Sequence, residues 1–130
     1  MDKLLHDVEP KPPVIIVDFH AEATSEKMAL GWFLNGKVSA VLGTHTHVQT
    51  SDERILEGGT AYITDVGMTG PLDSVIGIRK EVALERLLTQ IPWKFDVATD
   101  EIELQGVVIE VDPKTGKSKD IKRIKVTLYD

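Results

Sequence analysis

The sequence predicts an α/β chain, a mixed sheet with flanking helices and a C-terminal antiparallel hairpin. Two observations predict it. The apolar runs in "KPPVIIVDFH" and "VSAVLGTHTH" are separated by one amphipathic segment, the pattern of a strand, a crossover helix and a parallel strand. After Trp93 the pattern changes to strand-type alternation, in "KFDVAT", "IELQGVVIEVD" and "KDIKRIKVTLYD", the last two joined by the turn "PKTG". At 130 residues the chain fits a single domain, 1-130, with the Pro-rich stretch 1-13 as an N-terminal extension or linker.

Taken in order, Val14 to Val17 is an uninterrupted apolar run, the mark of a strand buried on both faces, with Asp18 and His20 at its C-terminal end. "ATSEKMALGWFLNGK" reads as a helix with Thr24 or Ser25 as N-cap and Asn35-Gly36 as stop. Its apolar Met28, Ala29, Trp32 and Phe33 fall at helical spacing and are expected in the core. "VSAVLGTHTH" is a second buried strand ending in His45 and His47. "AYIT", Ala61 to Thr64, is a third, and it runs into a loop rich in Gly and Pro. "RKEVALERLLTQ" predicts a second helix, with Val82, Ala83, Leu87 and Leu88 on one face and Pro92 ending it.

Composition removes several function classes. There is no cysteine, which excludes disulfides, thiolate nucleophiles and zinc-finger frameworks. The N-terminus lacks a basic region followed by an apolar core, and no window approaches the ~18 apolar residues of a membrane span. These features predict a cytoplasmic protein with no membrane partner. A net charge of -6 opposes attraction to a long nucleic acid, so a phosphate-bearing ligand needs local neutralisation, which a metal centre could supply. The lysines of "PKTGKSKDIKRIK" alternate with Ile121, Ile124 and Val126 and read as a solvated hairpin face. No P-loop, dinucleotide fingerprint or nucleophile elbow is present.

The histidines carry the chemical signal. His45 and His47, one residue apart after a strand, read alone either as solvated loop residues or as metal ligands. His20 shifts that balance, because it occupies the equivalent strand end in the preceding unit, and ligands gather at that edge of parallel sheets. Asp18, Glu22, Asp52 and Asp65 lie near enough in sequence to orient the rings, although each also fits a cap or surface carboxylate. His6 lacks a comparable setting and is left out of the site.

At "VDFHAEATSEK" and "GTHTHVQTSDERIL", and again at "AYITDVGMTGP" and "GVVIEVDPKTGK", the chain closely resembles the YmdB-like branch of the calcineurin-like metallophosphoesterases. The resemblance implies half of an α/β/β/α sandwich. It also implies hydrolysis of cyclic nucleotides such as 2',3'-cyclic AMP, or another small phosphodiester, by a dinuclear centre of divalent metal ions, manganese or iron. His20 and His45 look like ligands of one metal and His47 like a ligand of the other. The family's upstream GD, EN and GNH motifs do not occur, so the chain resembles the C-terminal half only. Its three histidines are expected to hold at most one metal well, and the catalytic histidine is unknown here. An exposed apolar face should favour a homo-oligomer or pairing with the missing N-terminal half. The alternative is a catalytically inactive metal-binding or oligomerisation module derived from that family. An HxH amidohydrolase is disfavoured, because the chain is too short for a ~250-residue barrel.

Overall fold

The computed structural model describes Lys3 and residues 10–128, so His6 lies outside the described residues. Its strands are β1 Ile16–His20, β2 Ala40–Thr44, β3 Arg54–Ile55, β4 Ala61–Ile63, β5 Thr69–Pro71, β6 Ile102–Val111 and β7 Ser118–Thr127. Its helices are α1 Thr24–Leu34 and α2 Lys80–Thr89. The first sheet has the order β1-β2-β4-β3, in which β1, β2 and β4 are parallel and β3 is antiparallel to β4. The second sheet is antiparallel, in the order β5-β6-β7, and the long β6–β7 hairpin is the predicted one. "KFDVAT" forms no named strand, only a bridge between Ile78 and Val97. No helix among the described residues is long and apolar enough to cross a membrane.

Alternation along β2 and β4 builds three layers. Val41 and Tyr62 are register partners and pack with Leu34, Val38 and Leu56 under α1. Their neighbours Ala40, Ala61 and Ile63 point the other way, against Ile121, Val107 and Ile109 of the second sheet. Small side chains at 40 and 61 let the two sheets approach, and each large apolar side chain removed from water contributes roughly 1.5–3 kcal/mol. Two bonds tie the β6–β7 hairpin to the start of the first sheet: Ser118 Oγ donates to Ser39 O at 2.7 Å, and Ser118 N–H donates to Gly59 O at 2.8 Å.

Helix α1 buries a different face from the one its apolar spacing predicts. Lys27, Gly31 and Leu34 face inward, while Met28, Trp32 and Phe33 stay exposed. Gly31 sets this orientation: a Cβ there would stand 2.6 Å from Cδ2 of Tyr62, so only glycine allows the helix to lie on the tyrosine ring. The exposed aromatics are capped by cations instead, with Lys37 Nζ 4.1 Å from the Phe33 ring centre and the Arg54 guanidinium 5.5 Å from that of Trp32. The helix N-cap is Ala23, with no side-chain bond, in place of the predicted Thr24 or Ser25.

Two further expectations change. Strand β1 is the sheet edge, and Ile16, Asp18 and His20 on one of its faces are exposed, so it is not buried on both faces. In α2 only Ala83 is buried, and Leu87 and Leu88 are 74% and 81% exposed. The outer face of the second sheet also carries exposed Leu104, Val108 and Val126. Exposed apolar side chains therefore lie on α2 and on that outer face as well as on α1 and β1.

Replacing Gly31 with alanine should lower stability by about 1–3 kcal/mol through overpacking against Tyr62, measured by chemical denaturation. Trp32→Ala, on the exposed face, should have a distinctly smaller effect. Equal effects would contradict this orientation of α1.

Candidate metal centre

Parallel register creates the site. His20 ends β1 opposite Thr44, the last residue of β2, so the next residue, His45, falls beside His20. His45 Nδ1 lies 3.1 Å from His20 Nε2, with the rings edge to face at 81°. Thr44 Oγ1 donates to Asp18 Oδ1 at 3.0 Å and therefore meets His20 Nδ1, 3.2 Å away, as an acceptor. In the neutral ring this puts the His20 proton on Nδ1 and leaves the Nε2 lone pair toward His45. Asp18 thus orients the ring through Thr44, one of the roles its sequence position suggested.

His47 is not part of that pair. Its Nδ1–H donates to the Ile76 carbonyl at 3.0 Å, which leaves Nε2 as the basic nitrogen. His45, His47 and Ile76 have φ of 126°, 64° and 50°. Left-handed backbone at side chains of this size is strained by about 1–3 kcal/mol each, and such strain gathers where a structure fixes functional groups.

The strained loop is held by a buried ion pair. Asp65, fully buried after β4, accepts from Lys27 Nζ at 3.0 Å and, with the same oxygen, from the N–H of Thr46 at 2.8 Å, between the two histidines. Its other oxygen accepts from Gly67 N–H at 3.0 Å. Burial pushes this carboxyl's pKa up, but the Thr46 and Gly67 amides and the lysine outweigh burial and hold it below the usual value. Asp52 behaves alike: burial opposes, and hydrogen bonds from Thr64 and Thr50 lower its pKa. Glu22 stays exposed. Gly43 brings β2 close to the chain after β4, since a Cβ would meet Thr64 O at 1.7 Å.

Among the described residues no group of three or more histidine, aspartate or glutamate side chains is arranged to hold a metal. The pair His20 and His45 nevertheless suits two adjacent ligand positions, because nitrogens bound at about 2.0–2.1 Å to one cation stand roughly 3.0–3.4 Å apart. His47 faces elsewhere and borders a cavity of about 220 Å³ with Gln49, Met68, Ile76, Gln105 and Lys125. Gln49 gives both amide hydrogens to the Val66 and Gly106 carbonyls, and its buried Oε1 has no partner. Lys27, Thr44, Gln49 and Ile76 carry no sequence signal for these roles, since each depends on contacts distant along the chain.

The family described as YmdB-like protein matches residues 1–124. The chain belongs to this family. A 2',3'-cyclic-nucleotide 2'-phosphodiesterase of Bacillus subtilis is 54% identical over 123 residues, which is 95% of this chain and 47% of the relative. A solved structure of a hypothetical protein from Thermus thermophilus superposes with a TM-score of 0.89 at 42% identity, over 97% of this chain and 48% of that one. A phosphatase of Mycoplasma pneumoniae gives 0.89 at 40% identity, over 97% and 44%. This YmdB-like chain therefore spans about half the length of the relatives it matches, and the three-layer α/β architecture is the one found in those longer chains.

Both lowered carboxyls predict acid sensitivity. Their folded pKa values lie below the ordinary 3.8, so the stability they contribute is complete above that value and is lost as pH falls through the lowered values. Lys27→Met should leave Asp65 charged without its partner and destabilise the fold by about 3–5 kcal/mol at pH 7. Lys27→Met with Asp65→Leu should recover much of that loss in urea unfolding.

Proposed function

We propose that this chain contributes the histidine edge of a metal-dependent phosphodiesterase acting on cyclic nucleotides such as 2',3'-cyclic AMP. The supporting observation is the His20–His45 contact at the C-terminal edge of parallel strands, held by Asp18, Thr44 and Asp65. The named activity of the Bacillus subtilis relative supports the reaction class. His20 and His45 would hold one divalent cation, manganese or iron, and His47 would serve a second. In this chain alone the first site is the stronger, since two nitrogens already converge there. Bound cations of this kind polarise a phosphoryl group and lower the pKa of water.

The chain's own residues prepare that chemistry. Asp18 and Thr44 keep the His20 proton on Nδ1, the Ile76 carbonyl keeps that of His47 on Nδ1, and both Nε2 atoms remain basic. Asp65 fixes the backbone between the histidine ligands, so neither has to be ordered when a ligand arrives. The cavity beside His47 offers apolar Met68 and Ile76 to the non-reacting part of a substrate, and Lys125 to its negative charge. A second reading, a binding or oligomerisation module without turnover, is favoured by the exposed apolar residues of α2 and the outer sheet face, which a second copy or the remaining half of the relatives' length would cover.

Metal content by inductively coupled plasma mass spectrometry, after purification with manganese and iron present, should approach one per chain and fall to near zero in His45→Ala. Adding the separately expressed remainder of a full-length relative should raise cyclic-nucleotide hydrolysis above that of either piece. Binding without such a gain would favour the module, and no metal in either protein would sink the proposed centre. A purely monomeric elution profile at micromolar concentration would argue against self-association.

A further inference from the structure

The opposite edge of the first sheet holds a cavity of about 450 Å³, where the chain enters β1 and three turns meet. It lies roughly 15 Å from the histidines, the length of a five-residue strand. The turns are Asn35-Gly36 after α1, Gly58-Gly59 before β4, and the tip of the β6–β7 hairpin. Glycine is structurally required at two of them. A Cβ at Gly58 would stand 2.5 Å from Asn35 Oδ1, and one at Gly116 would stand 2.4 Å from Pro13 O. The floor is thus bare backbone, with the buried Ser39 beneath it.

Lys11, Lys37, Lys114 and Lys117 line this cleft, and among the described residues no aspartate or glutamate does, in a chain of net charge -6. Lys37 rests on the Phe33 ring. Lys11, Lys114 and Lys117 form no ion pair among the described residues, whereas Lys80, Lys119, Lys122 and Arg123 each reach a carboxylate. The nearest hairpin carboxylate, Asp112, is engaged by Lys119 Nζ at 3.3 Å and by the Lys114 amide at 2.9 Å. Three ammonium groups without a carboxylate partner among the described residues, set around one concave space, form a local cluster of positive charge on an acidic protein.

We propose that this cleft is a second anion site, separate from the histidine edge, which takes a small multiply charged phosphate group, either free or carried on a nucleoside. Its volume falls in the range of small-molecule sites, about 300–1,000 Å³, and lysines bind phosphate as point charges. The concave, glycine-floored shape suits a compact ligand more than an extended strand or a flat bilayer. The site does not depend on the metal centre, so its failure and that of the proposed activity are separable.

The test is an amide NMR titration of metal-stripped protein with inorganic diphosphate, then with adenosine diphosphate and adenosine. Saturable shifts at Gly58, Gly59 and Gly116, with those of His45 and His47 unmoved, are expected, and the affinity should fall as salt rises. Diphosphate and adenosine diphosphate binding equally would identify the phosphate group alone as the ligand, whereas tighter nucleotide binding would identify a nucleoside carrier; adenosine should not bind. Lys114→Glu with Lys117→Glu should weaken diphosphate binding at least about tenfold, and Lys80→Glu with Lys122→Glu, an equal change in net charge outside the cleft, by less than about twofold. Lys11→Gln with Lys114→Gln provides a milder pair if the charge reversals unfold the hairpin. Non-saturating shifts, or equal weakening by both glutamate pairs, would overturn the site.

Discussion

The ion pair between Lys27 and Asp65 is the contact on which the histidine edge depends. It joins the helix layer to the chain leaving β4, and the oxygen that receives the lysine also receives the amide between His45 and His47. One carboxylate therefore sets the distance from α1 to the sheet and the path of the strained loop. Buried ion pairs add little net stability compared with apolar residues of equal size, because desolvation offsets their attraction. Here the pair fixes position: it draws Lys27 inward, which turns the Met28, Trp32 and Phe33 face of α1 toward water.

Much of the fold was legible in the sequence. The apolar runs before His20 and His45 became neighbouring parallel strands, and their register brought those two rings together as strand-end reasoning expects. The β6–β7 hairpin followed from alternation and its turn residues. Side-chain orientation was less legible. Apolar spacing in α1 pointed to Trp32 as core, because periodicity cannot register that Gly31 is demanded by the Tyr62 ring or that a lysine is buried for a partner 38 residues away. Strand β1 read as buried on both faces because a short apolar run does not distinguish an edge strand from a central one. The bond from His47 to the Ile76 carbonyl spans 29 residues and leaves no local trace.

The two edges of the first sheet differ in chemistry although the same strands connect them. At the C-terminal edge, imidazole rings are oriented by the Thr44 hydroxyl, with Asp18 behind it, and by the Ile76 carbonyl. At the N-terminal edge, lysines surround bare glycine turns. Strands β2 and β4 between them are short and packed on both sides by separate apolar clusters, a stiff spacer that keeps the environments apart. The same spacer occurs in relatives about twice as long, where a TM-score of 0.89 over nearly all of this chain shows that the layers keep their arrangement in a larger protein.

The left-handed conformations of His45, His47 and Ile76 also bear on how this protein responds to selection for thermal robustness. Glycine at any of the three would relax the backbone, yet at 45 or 47 it would delete the imidazole, and at 76 it would free the carbonyl that anchors a ring. Directed evolution toward higher melting temperature alone is therefore drawn to these positions and would remove the proposed ligand side chains and their anchor first. A library meant to toughen this scaffold should hold all three fixed and seek its gains at the exposed leucines of α2 and the outer sheet face.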